Sequence, residues 1–113
     1  MKFKTTKKAI KENYGEIYRV PYCEAWHLLR GIEPFAYNSG VYGWNCDYYY
    51  INGRIICTGY RPHGESTRGV TNKYEEQAKS IYNNNVYTYT DKMELLYNLR
   101  DQWINNLSNM YEV

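Results

Sequence analysis

Strand-like segments rich in apolar and aromatic residues, Trp44 to Ile51 and Arg54 to Tyr60, flank an Asn52-Gly53 pair, and apolar and polar positions alternate from Trp44 to Tyr48. Alternation with period two is the pattern of a β-strand, and Asn-Gly suits a two-residue type I′ turn because both central positions need positive φ. The pattern therefore predicts a β-hairpin. Its turn sets the register: Ile51 faces Arg54, Tyr50 faces Ile55, Tyr48 faces Cys57 and Cys46 faces Gly59. One face then carries Trp44, Cys46, Tyr48, Tyr50, Ile55 and Cys57 and is suited to burial. The other carries Asn45, Asp47, Tyr49, Ile51, Arg54, Ile56, Thr58 and Tyr60 and is expected to be half solvated.

Helical and strand patterns flank this hairpin. Thr5-Thr6 ahead of Lys7 to Tyr14, with Gly15 behind, predicts a short capped helix whose thin apolar stripe is Ile10 and Tyr14. Glu16 to Val20 reads as a strand, with Tyr18 partly exposed, stopped by Pro21. From Tyr22 to Arg30, Ala25, Leu28 and Leu29 recur at helical spacing until Gly31. Gly31 to Gly43 and Arg61 to Gly69 read as loops. Thr71 is placed to cap a helix from Asn72 to Tyr82, with Tyr74, Ala78, Ile81 and Tyr82 on one face. Val86 to Thr90 alternates as a short strand, and Asp91 with Glu94 resembles a capping box opening a last helix. Leu96, Leu99, Trp103, Leu107 and Met110 form that helix's apolar stripe. The expected fold class is α+β: a small antiparallel sheet built around the hairpin at residues 44–60, packed against several helices including a C-terminal one.

Composition narrows the function classes. The 113 residues suit a single domain. No apolar run is long enough to span a bilayer, and the basic start Met1-Lys2-Phe3-Lys4 is not followed by the apolar core of a signal peptide, so a cytosolic location is expected. Cys23, Cys46 and Cys57 contain no CxxC pair, and His27 and His63 lack ligand-like spacing, so neither a metal site nor a cofactor is expected. Cys46 and Cys57, diagonal on one face of the hairpin, read as small buried thiols. The net charge of +2 disfavours acidic mimicry of nucleic acid, and Lys2, Lys4, Lys7, Lys8 and Lys11 read as a solvated basic face. Fifteen tyrosines and twelve asparagines match the codon bias of an AT-rich genome. Tyrosine also gives contact area at low entropic cost, so the excess equally suits a binding surface.

Catalysis needs a nucleophile or an acid–base pair held within reach of its partner. Cys57, Asp47, His63, Ser66 and Glu65 are the available groups. Asp47 and Thr58 face each other across the hairpin, but no third group joins them and no hydrolase, P-loop or dinucleotide motif is present. A non-enzymatic protein is therefore expected. The segment from Tyr60 to Gly69 sets Arg61, His63, Ser66, Thr67 and Arg68 among glycines, which is the chemistry of an anion site. Tyr49 and Arg54 on the hairpin, beside Tyr60 and Arg61, form a platform on which bases could stack. The candidate binding residues are thus Tyr49, Arg54, Tyr60, Arg61, His63 and Arg68.

Gly40-Val41-Tyr42-Gly43-Trp44-Asn45-Cys46-Asp47, continued by Thr58-Gly59-Tyr60-Arg61-Pro62-His63-Gly64, resembles small proteins of phages and mobile elements from AT-rich Gram-positive bacteria. That group includes anti-CRISPR inhibitors. The resemblance implies a counter-defence inhibitor that binds a host defence protein, a nucleic-acid-guided effector in the first instance, inside the host cell. It carries no assigned motif and gives no residue a role. A single-stranded nucleic-acid-binding protein and a protein that sequesters a nucleotide signal are the alternative expectations.

Overall fold

Asn52 at φ 50° and Gly53 at φ 83° form the turn that the Asn-Gly pair dictates. In the computed structural model, which describes residues 2–20, 25–39, 45–59 and 68–107, this turn joins β4 (Asn45–Ile51) to β5 (Arg54–Thr58). Pairing runs from Ile51–Arg54 through Tyr48–Cys57 to Asp47–Thr58, so the predicted register holds up to one step short of Cys46 and Gly59.

Three further strands complete a sheet of order β1-β3-β4-β5-β2. β3 (Ala36–Ser39) lies antiparallel to β4, whereas β1 (Phe3–Lys4) runs parallel to β3 and β2 (Ile17–Val20) parallel to β5. The fold is α+β as expected, but its sheet is mixed rather than purely antiparallel. The cause is α1 (Lys7–Tyr14), which carries the chain from one edge of the sheet to the other, and parallel strands require such a crossover. Thr6 caps this helix as predicted, its hydroxyl accepting from the Ala9 N–H at 3.1 Å. Gly15 ends it at φ 99° with its N–H on the Lys11 carbonyl.

Other expectations are corrected. The predicted loop from Gly31 contains β3, whose four residues carry little alternation of their own. Residues 25–31 form turns instead of a helix: one i→i+4 bond, Leu29 N–H to the Ala25 carbonyl, gives way to shorter i→i+3 bonds. The predicted strand at 86–90 does not form. Val86 is 88% exposed there, and α3 (Tyr89–Leu107) begins within the segment. Its true cap is Thr88, whose hydroxyl accepts from the Asp91 N–H at 3.2 Å while the Asp91 carboxylate accepts from the Thr88 N–H. Asp91 is thus the third helical residue, not the cap. α2 (Arg68–Tyr82) starts four residues before the expected Asn72.

Both faces of the sheet carry a packed core, the α1 face only in part: Tyr50, expected to be buried there, is exposed. Ile10 of α1 packs on Ile17, Ala36, Cys46, Tyr48, Ile55 and Cys57. α2 and α3 cover the other face, packing Tyr74, Ala78, Leu96, Leu99, Trp103, Ile104 and Leu107 with Tyr18, Val20, Ile51 and Ile56. The face expected to be half solvated is therefore the larger core, and Tyr18 is buried in it. The unbroken run Ile55-Ile56-Cys57 is the mark of a strand buried on both sides. The α3 stripe is core as predicted through Leu107, with Met110 outside the described residues. No described helix is long and apolar enough to cross a membrane.

Trp103 is fully buried, and its indole N–H donates to the Thr71 hydroxyl. Trp103→Ala should lower stability by about 3–5 kcal/mol, read as a reduced denaturant midpoint. Val86→Ala, at an exposed position, should stay within about 0.5 kcal/mol of the parent in the same measurement.

Candidate interaction surface

The predicted platform does not assemble as a free surface. Tyr49 is half-buried against the α2–α3 core. Arg54 is held by Asp101 of α3 at 2.9 Å, fastening the hairpin tip to that helix. Asn52 reinforces the same contact, its side-chain amide donating to the Tyr97 carbonyl at 2.7 Å. Tyr60, Arg61 and His63 lie outside the described residues, and Arg68 is the first residue of α2. Of the catalytic candidates, Asp47 pairs with Lys2 at 3.0 Å and Cys57 is buried; Ser66 and Glu65 lie outside the described residues.

The structure gathers a different group at the turn 25–31. This turn has few internal hydrogen bonds, and two helices supply others, α2 to its N–H groups and α3 to its carbonyls. Glu75 of α2 accepts the His27 N–H at 2.7 Å and the Leu28 N–H at 3.2 Å, serving as a cap supplied from another element. Its carboxylate also lies 4.0 Å from the His27 imidazole. Arg100 of α3 donates from Nε to the Leu28 carbonyl at 2.5 Å and from Nη2 to the Arg30 carbonyl. Arg100 is only 3% exposed, and burial holds its guanidinium below its ordinary pKa.

Pinned this way, the turn presents Trp26 outward at 62% exposure. The Arg30 guanidinium lies 4.9 Å from the Trp26 ring and 4.8 Å from the Tyr82 ring, so a cation is sandwiched between two aromatic faces. The His27 ring leans on Trp26 with centroids 5.1 Å apart. Trp26, Arg30 and Tyr82 are the residue types that dominate interface hot spots, here ordered in advance of any partner.

A second aromatic cluster sits on the α1 face. Phe35 is ringed by Tyr14 at 5.1 Å and by Phe3 and Tyr50 at 6.3 Å, and these three neighbours are exposed. An eight-residue helix is about 12 Å long. Five strands are about 19 Å across, so α1 cannot roof the sheet and the aromatics fill the remainder.

Trp26 left a trace in the sequence. It falls outside the apolar set Ala25, Leu28 and Leu29, and Arg30 follows it by four residues, the spacing that stacks side chains across one turn. Tyr82, Glu75 and Arg100 left none, because their contacts join segments far apart in the chain. Comparison of the chain with protein-family models, curated proteins and solved structures gives no match, so the reading of this surface rests on its own residues.

The two arginine contacts should behave differently on substitution. Arg100→Met removes charged hydrogen bonds to two carbonyls and should cost about 3 kcal/mol in chemical unfolding. Arg54→Ala breaks a half-exposed ion pair and should cost less than about 1 kcal/mol.

Proposed function

We propose that this protein is a non-enzymatic binding protein that acts by covering a surface of a partner protein, with Trp26, Arg30 and Tyr82 as its anchor. The observation that carries the reading is the exposure of Trp26 on a turn fixed by Glu75 and Arg100. Exposing a tryptophan to water is unfavourable, and fixing its backbone removes the entropy that binding would otherwise have to remove. The resemblance to small phage and mobile-element proteins supplies the kind of partner: a host defence protein, as for an anti-CRISPR inhibitor in the host cytoplasm.

A single-stranded nucleic-acid ligand is the second reading, favoured by the same stack, since an exposed indole beside a guanidinium also accepts a base. Salt separates the two. Binding through phosphates weakens steeply as salt rises, whereas a contact centred on Trp26 holds at moderate salt.

Affinity capture with the tagged chain should enrich a host defence effector at moderate salt. Trp26→Ala should weaken that complex by about 2 kcal/mol, roughly 30-fold, with its unfolding midpoint close to the parent's. Equal capture by both proteins would remove Trp26 from the interface.

A further inference from the structure

Within the turn 25–31, the side chain of Arg30 is the group that packing accounts for least. Its backbone carbonyl accepts from Arg100, but its guanidinium makes no hydrogen bond and no ion pair with any described residue. The group is nonetheless held in place. The Trp26 and Tyr82 rings lie 4.9 Å and 4.8 Å from it. The backbone that follows it is tightly packed: a Cβ at Gly31 would come 3.2 Å from Met93 Cε and 3.4 Å from the Tyr82 hydroxyl oxygen.

Rings on its faces leave a guanidinium only its edge for hydrogen bonding. The N–H groups of that edge form a planar fork that matches the two oxygens of a carboxylate. A lysine ammonium carries the same charge without the fork.

Charge at the patch points the same way. Arg100 is buried beneath the turn with carbonyls as its acceptors, and Lys92 donates to the Tyr82 carbonyl at 2.9 Å. Among the described residues no carboxylate pairs with either. Glu75, which does reach the turn, already gives one oxygen to the His27 N–H and the other to the Leu28 N–H. An incoming carboxylate therefore meets cations that no carboxylate has neutralised, and complementary charge of this kind selects a partner. A nucleic-acid strand carries a phosphate at every nucleotide and is held by cations spread along a groove. Here the cations converge on one turn beside an exposed indole, which suits one anionic side chain with an apolar neighbour.

We propose that the Arg30 edge, framed by Trp26 and Tyr82, reads an aspartate or glutamate carboxylate on the partner protein, with an apolar side chain next to it seated on Trp26. This rests on the reading of Trp26, Arg30 and Tyr82 as the anchor, and it adds what the partner must carry. Trp26 supplies the contact area and Arg30 the selectivity.

Selection of a phage-displayed library of random peptides on the full chain tests this, with the strongest binder then made as a synthetic peptide. The selected peptides should share an aspartate or glutamate next to an apolar residue. Replacing that acid by its amide in the peptide should weaken binding about 10-fold. Arg30→Lys in the protein should do the same, because it keeps the charge and loses the second hydrogen bond. In parent protein carrying isotope-labelled arginine, the Arg30 Nε–H resonance should move on adding the peptide and stay in place with the amide version, a readout that needs no variant to fold. Peptides that depend on Trp26 but show no acidic preference, or that bind Arg30→Lys as tightly as the parent, would overturn the carboxylate and leave the anchor standing. Peptides that bind Trp26→Ala as tightly as the parent would overturn the anchor itself. A selection that yields no peptide would also overturn the carboxylate, and an oligothymidylate that then moves the Arg30 resonance would put nucleic acid in its place.

Discussion

The buried guanidinium of Arg100 is the contact on which the arrangement of this molecule most depends. Placing a cation in a core is costly unless every donor it turns inward finds an acceptor. Here those acceptors are the carbonyls of Leu28 and Arg30, on a segment that forms no regular element. The turn satisfies the arginine and the arginine satisfies the turn. Glu75 closes the arrangement from α2, so both helices that cover the larger core also hold the same stretch of irregular backbone. Leu28 is thereby held in the core and Trp26 held out of it.

That division separates the parts of the protein that carry stability from those left for contact. Both faces of the hairpin are used for packing apart from the exposed Tyr50, and its tip is tied to α3 through Asn52 and Arg54. What remains outward is carried by the periphery: the turn with Trp26 on one side, and the rings about Phe35 on the other, where α1 is too short to reach. These two aromatic surfaces arise differently. The first is ordered by charged groups beneath it, whereas the second is uncovered sheet.

Local signals were legible in the sequence and distant ones were not. Asn52-Gly53 announced both turn and register because its constraint acts within four residues. Thr6 announced its helix for the same reason. Alternation on β5 was ambiguous: Ile55, Ile56 and Cys57 are all apolar, and which face would be wetter depended on helices elsewhere in the chain. Val86 to Thr90 alternated without a partner strand, and the stronger local claim, Thr88 capping through Asp91, prevailed. The binding residues first suggested by chemistry, Tyr49 and Arg54, proved to be packing and fastening groups. The exposed Trp26 depends on side chains some fifty and seventy residues away, a dependence no local pattern encodes.

The two-residue strand β1 has a consequence for how the protein behaves at high concentration. Sheets terminate in unpaired backbone groups that invite a strand from another molecule. On this flank the terminus is as short as a strand can be, and Phe3 sits between Lys2 and Lys4. A second chain approaching that border would find almost no ladder to extend, with Lys4 beside it and Lys2 drawn back onto Asp47. The brevity of β1 thus makes this flank a poor template for sheet extension between molecules.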